Sequence, residues 1–191
     1  GKLNFWTNQA RLSINVIDLR ASISTVLRKF EVVRTLLDKD GLIDDQKRRK
    51  MPSFPRCIGI LTSVPSSALA DMLKTAKKRW PFTKLIIISI PVQGEVAQKV
   101  QMTLVKLSTL YKQLDIQAIV LARGGGSRED LMLFDNEMIC RTLANFPIPV
   151  ITGIGHEDDV TVADLVADHR ASTPTAAIVD LLPSREMVVL D

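Results

Sequence analysis

"QAIVLARGGGSRED", residues 117–130, sets the reading of the whole chain. A continuous apolar run ends in an arginine, three glycines follow, and Ser-Arg-Glu-Asp opens a helical pattern. Apolarity that is continuous rather than alternating marks a strand covered on both faces. The same succession recurs along the chain. "CIGILTS" (57–63), "KLIIISI" (84–90), "QAIVLA" (117–122) and "IPVIT" (148–152) are each followed by a helical pattern, over 67–79, 95–114, 128–146 and 159–168. Four strand–helix units in a row predict an α/β fold with an open, mainly parallel sheet and helices on both faces. The segments after the strands, 62–67, 91–94, 123–127 and 153–159, then share the carboxyl edge of the sheet, where open α/β folds bind ligands.

Upstream the pattern is different. Leu12, Ile14 and Val16 alternate with polar neighbours, so residues 3–19 read as two short strands around a turn at Thr7-Asn8-Gln9. Ile23, Val26, Leu27, Phe30, Val33 and Leu37 recur at helical spacing and predict an amphipathic helix ending near Gly41. "DDQKRRKMPSFPR" (44–56) is the densest basic run and reads as a linker or exposed loop. The expected organisation is strands over 1–19, a connecting helix and basic linker over 20–54, the α/β domain over 55–182, and a new helix from 183. Gly1 in place of Met and the helical opening "SREMVVLD" suggest a fragment of a longer protein.

Composition limits the function classes. Hydrophobic residues make up 46% and charged residues 24% of 191 residues, as in soluble globular domains. No apolar run approaches the roughly 18 residues of a membrane span, so no membrane partner is expected. Cys57 and Cys140 read as lone core residues, neither a disulfide nor a metal pair, which suits a reducing cytoplasm. The net charge of +4 hides a polarity: residues 123–191 hold 5 Arg, no Lys and 12 acids, so the remainder carries +11. A basic half beside an acidic half suits a polyanionic partner held near a carboxylate-rich site, although sorted surface charge would look the same.

The glycine loop has the composition of an anion cradle. Gly124, Gly125 and Gly126 can take positive φ and turn amide N–H groups towards an anion, and Arg123 can grip a phosphate with two hydrogen bonds. Ser127 can cap the next helix, with Asp130 three residues on in a capping-box position. A Walker loop needs Gly-Lys-Ser/Thr, and a dinucleotide fingerprint needs a third glycine where Glu129 stands. The second constellation is "TGIGHEDD" (152–159), where His156 can exchange a proton near neutral pH and Asp159 can orient it, hold a metal, or serve as a first-turn acid. Alone, Asp71 is ordinary helix electrostatics. Trp80 could stack a base, but a helix-ending role packed on the core is the expectation, and His169 reads as a helix C-terminal residue. Arginine, anion cradle, histidine and carboxylates together suit attack on a phosphate ester.

"FPRCIGILTS", "IPVQGE", "ARGGGSREDL", "PVITGIGHEDD" and "ADLVADHRASTPTAA", in that order over residues 52–180, resemble the large subunit of bacterial exodeoxyribonuclease VII. The resemblance implies a nuclease that degrades single-stranded DNA from either end to 5′-phosphorylated products. It also implies an N-terminal OB-fold, with residues 1–19 as its last strands, and a C-terminal helical arm that recruits small subunits. By the same resemblance Asp71, Arg123, His156 and Asp159 are functional: Arg123 clamps the scissile phosphate and His156 moves a proton. Asp71 and Asp159 would activate water, orient His156 or hold a cation. The family's tolerance of chelators leaves metal dependence open; no cofactor is strictly required, and a divalent cation such as Mg2+ can be accommodated. Two positions depart from the family pattern: Ser66-Ser67-Ala68 replaces a usual Gly-Ala-Ala turn, and Arg128 stands where an apolar residue is common. Two rival readings remain at this level, a small-molecule phosphate enzyme on the same scaffold and a non-catalytic single-stranded-DNA-binding module.

Overall fold

Strand register sorts the apolar runs into two buried layers. The computed structural model describes residues 2–6, 11–15, 23–91 and 96–185. Five parallel strands, β3 (Cys57–Thr62), β4 (Lys84–Ser89), β5 (Ala118–Arg123), β6 (Val150–Ile154) and β7 (His169–Ala171), lie in the order β4-β3-β5-β6-β7. Alternate residues go to opposite faces, as strand geometry requires. Cys57, Leu61, Ile119, Leu121, Val150 and Ile154 face one layer; Ile58, Ile60, Ala118, Val120 and Ile151 face the other. The expected α/β fold with helices on both faces is therefore observed.

The first layer is completed by α1 (Ile23–Lys39), α3 (Ala97–Leu110), α4 (Glu137–Ala144) and α5 (Val162–Val166). The second is completed by α2 (Ser67–Arg79) and α6 (Pro174–Leu181). Strand β4 departs from the expected two-sided cover. It is an edge strand and only half-buried, with Ile86 and Ile88 touching the first layer and Leu85 and Ile87 the second. Cys57 and Cys140 are buried free thiols, and burial pushes both above the usual thiol range.

Helix α2 covers the expected span. Ser66 Oγ accepts from the Leu69 N–H at 3.1 Å, and Lys77, Lys78 and Arg79 sit in the last turn, where the helix dipole favours cations. The expected helix over 128–146 is divided. A 3-10 stretch, Arg128–Asp135, gives way to α4 at Asn136, whose backbone is extended and whose Oδ1 accepts the N–H groups of Met138 and Ile139. A side-chain cap in mid-pattern outcompeted helix continuation. The expected helix over 159–168 is short, held to Val162–Val166 by a capping box between Thr161 and Asp164.

After α5 the chain enters a fifth strand that the sequence reading missed. His169 is the first residue of β7, not a helix terminus, and its Nε2 lies 2.8 Å from Asp180 Oδ2 on α6. Three residues are too few to show a period. The strand is fixed instead by Asp168, whose buried carboxylate accepts the Val150 N–H at 2.7 Å and is held by the Arg49 side chain. Arg49 also donates to the carbonyls of Phe146 and Leu143, so the basic segment before β3 is pinned to the amino edge of the sheet.

The N-terminal strands β1 (Lys2–Trp6) and β2 (Arg11–Asn15) pair antiparallel, Lys2 opposite Asn15 and Trp6 opposite Arg11. The Thr7-Asn8-Gln9 turn, the loop with Gln93 and Gly94, and residues 186–191 lie outside the described residues. Gly41, which takes a φ of 63°, follows α1, and no helix of the described residues is long and apolar enough to cross a membrane.

Candidate active site

Strands β3, β5 and β6 are neighbours, so their carboxyl ends bring three loops together. The β5–β6 pairing continues past the strands, with the Gly155 N–H donating to the Arg123 carbonyl at 3.0 Å. Gly155 then takes a φ of 69°, and a Cβ there would fall 2.7 Å from Asp159 Oδ2. Only glycine fits both the turn and the carboxylate above it.

The turn presents His156. Asp159 closes it by accepting the His156 N–H at 3.0 Å, while its own N–H returns to the His156 carbonyl at 2.9 Å. The same carboxylate oxygen is 3.6 Å from Nδ1 of the ring, within ion-pair reach but longer than a hydrogen bond. The ring is 72% exposed and faces solvent beside the glycine loop.

Contact between the two loops is close. A Cβ on Gly125 would lie 2.3 Å from His156 Cε1 and 2.9 Å from Nε2, so the imidazole rests directly on the Gly125 backbone. Gly126 is confined by Asp130 and by Nη2 of Arg123, and Gly124 approaches Ala68 near the start of α2. None of the three glycines takes the left-handed backbone. Their smallness serves close approach by neighbouring groups rather than the positive φ expected of them.

Arg123 folds back over its own loop. Its Nη1 donates to the carbonyls of Gly124 and Gly125 at 3.0 and 2.9 Å, and its Nε is buried with no hydrogen-bond partner among the described residues. Ser127 does precede the next element as a cap, and Asp130 Oδ2 accepts both its N–H and its hydroxyl, at 3.0 and 3.2 Å. Asp71 lies on α2 one turn beyond Ala68, on the same side of the helix and exposed. Its carboxylate makes no hydrogen bond or ion pair with the other described residues. The structure thus joins Arg123, Gly124, Gly125, Gly126, Ser127, His156 and Asp159 in one place. It puts Asp71 at the border without contact.

A residue that the sequence reading passed over supports the histidine turn from below. Arg170, on β7, donates from Nη2 to the Glu157 carbonyl at 2.5 Å and to the Asp159 carbonyl at 3.5 Å. Its Nε is 4.0 Å from buried Asp164, whose pKa burial pushes up against the hydrogen bonds from Thr161. The signal was the Arg within "ADHRASTP", which neither period nor charge set apart. Arg128, the other departure from pattern, pairs with buried Asp135 at 2.9 Å and stacks over Phe30 of α1. Asp135 also accepts the Val162 N–H at 2.9 Å, and burial raises its pKa to about 6. Among the described residues, no three His, Cys, Asp or Glu side chains gather as a metal-ligand set.

Residues 42–190 match the family model described as Exonuclease VII, large subunit. The chain belongs to that family. It is 63% identical over 186 residues to the exodeoxyribonuclease 7 large subunit of Synechococcus sp. strain CC9605, covering 97% of this chain and 48% of the relative. Identity is 38% over 185 residues to the corresponding protein of Legionella pneumophila strain Lens, covering 96% of this chain and 41% of that one. For Nitrosomonas eutropha it is 40% over 170 residues, covering 89% and 38%. The chain therefore spans about half or less of the length of these curated family members.

Proposed function

We propose that this chain is the catalytic part of an exonuclease that hydrolyses single-stranded DNA from both 5′ and 3′ ends to 5′-phosphorylated oligonucleotides and nucleotides. It would work in the cytoplasm as the large subunit of a hetero-oligomer, with small subunits held by a C-terminal arm. The observation that carries the chemistry is the seating of His156 on Gly125, beside the Arg123 guanidinium.

In this reading Arg123 swings from its loop carbonyls to the scissile phosphate, where its unpartnered Nε and the fork of Nη atoms find charge-assisted bonds. Water attacks phosphorus and the P–O3′ bond breaks, leaving phosphate on the 5′ carbon of the product. His156, as imidazolium, donates its proton to the departing O3′, and it is recharged when the attacking water loses a proton. Asp159 fixes the histidine backbone and faces Nδ1 at 3.6 Å, which holds the ring in place over the glycine loop. Asp71, at the border of the site, orients the attacking water. Mg2+ would be held through the carboxylates of Asp71, which is exposed, and Asp159, which is half-buried, and no step above is routed through it.

The test is an assay of the full-length large subunit assembled with its small subunit. Single-stranded DNA labelled at either end should be shortened from both, duplex DNA spared, and products should accept ligation through 5′-phosphate. Absence of cleavage with retained strand binding would favour the binding-module reading.

A further inference from the structure

Three aromatic rings stand together at the sheet edge opposite the glycine loop. Trp80, which ends α2, has the Phe54 ring 5.9 Å away and the Phe82 ring 5.1 Å away, the latter edge-on. Trp80 is half-buried and packs on the second apolar layer, as expected. Phe54 and Phe82 are 57% and 69% exposed. Their segments are tied side by side: Thr83 Oγ1 donates to the Pro55 carbonyl at 2.5 Å, and the Lys84 N–H to the Arg56 carbonyl at 2.8 Å. The rings are therefore held at the surface rather than dangling there. Two large aromatic side chains left more than half in water, next to a third, form a contiguous apolar patch that calls for an occupant.

The surrounding charge selects the occupant. Residues 77–84, "KKRWPFTK", and 48–57, "RRKMPSFPRC", contain no acidic residue. Lys77, Lys78, Lys84 and Arg56 are exposed, and among the described residues only Arg56 of these four makes an ion pair, with Asp115 at 3.6 Å. Arg79 is fixed against the Leu182 carbonyl at 2.8 Å and lines one groove with Phe54, Met51 and Pro52; the acid in that groove, Asp180, is engaged by His169 Nε2 at 2.8 Å. A protein partner would have to cover this many cations with matching acids, since charge is depleted from interface centres. A duplex offers phosphates but keeps its base faces stacked. A single strand supplies both phosphates and free base faces.

We infer that Phe54, Trp80 and Phe82 form a stacking platform for a single DNA strand, remote from the His156 site, with its phosphates drawn to Lys77, Lys78, Lys84 and Arg56. The inference rests on the single-stranded-DNA reading above. Helix α2 separates the two places: Ala68 touches the glycine loop and Trp80 the platform. Its 13 residues span about 20 Å at the usual rise. Only strands of several nucleotides can occupy both, so the platform anchors long substrates and is idle for short ones.

The experiment uses the full-length large subunit with its small subunit, carrying Phe54→Ala and Phe82→Ala together, with Trp80 left in place. Affinity is read with a long, nuclease-resistant phosphorothioate oligothymidylate. A loss of about tenfold is expected, the scale of one or two base–aromatic stacks. Degradation of an oligothymidylate of about four nucleotides should keep its wild-type rate. Should the double variant fold poorly, Lys77→Glu with Lys78→Glu should weaken long-strand binding in the same way. Undiminished long-strand affinity would overturn the platform, as would equal impairment on short and long strands. Lost assembly with the small subunit at unchanged DNA affinity would overturn it too, and would make the patch a protein interface. Wild-type complex that binds the long strand through these residues but cleaves nothing would sink the nuclease reading alone.

Discussion

The imidazole of His156 lies on Gly125, with no room at that Cα for a side chain: a Cβ would stand 2.3 Å from Cε1 and 2.9 Å from Nε2. Two loops from neighbouring strands are thereby one structural unit. Gly125→Ala must displace the ring, by the order of 1 Å. Cleavage of single-stranded DNA should fall on the order of a hundredfold, because small misplacements of a reacting group carry such losses. The melting temperature should barely change, since the ring is solvent-facing and no core contact is lost. Steady-state rates beside a thermal melt check both halves.

Arg170 should matter to rate through the turn it supports. Its removal frees the Glu157 and Asp159 carbonyls and leaves buried Asp164 without its nearest cation. Arg170→Ala should destabilise by about 1–3 kcal/mol in urea unfolding, the cost of orphaned buried polar groups. It should also lower kcat about tenfold with KM little changed, because the turn positions the proton donor rather than the strand. Arg170→Lys, which can reach one carbonyl, should recover part of both.

Stability should fall as pH rises from about 4 to about 6. Burial lifts the Asp135 carboxyl from 3.8 to about 6 against the hydrogen bond from Val162 and the charges of Arg128 and Lys29, with Asp164 adding to the lift. The folded state therefore holds its proton longer than the unfolded chain, and this contribution is fully present below pH 4 and gone above pH 6. Its size is at most about 3 kcal/mol. Asp164, also raised by burial, acts in the same direction. Denaturant midpoints across this range should show the decline in the wild type and a shallower one in Asp135→Asn. Parallel profiles would contradict the assignment.

Arg49 should matter to stability but not to chemistry. It neutralises Asp168 at the amino edge, away from the loops of His156 and Arg123. Arg49→Ala leaves that carboxylate buried and unpaired, so a loss of about 3 kcal/mol is expected in denaturant unfolding. Activity per folded molecule at low temperature should be unchanged.

The parallel sheet was legible because continuous apolar runs such as "CIGILT" answer to one physical demand, cover on both faces. The end of α2 was legible because Trp80 reads as a helix-ending residue, while the Ser66 cap that sets its start is a feature of the structure. Strand β7 was not, since three residues held by a buried Asp168–Arg49 pair carry no period, and the pairing joins residues 119 positions apart. The broken helix at Asn136 was hidden for a similar reason: a cap in mid-pattern looks like any polar residue until its backbone is seen. At the site, glycines and histidine stood out by type. That His156 would rest on Gly125, and that Arg170 would hold the turn beneath it, depends on strand order, which no local pattern contains.

The most direct measurement compares single-stranded DNA cleavage by wild type and His156→Ala in the assembled complex, with strand affinity measured in parallel and each reaction run with and without EDTA. A proton-transferring His156 predicts loss of cleavage on the order of a hundredfold or more at retained affinity, with wild-type cleavage persisting in EDTA. Undiminished cleavage by the variant would contradict it, and would move the chemistry to the carboxylates of Asp71 and Asp159.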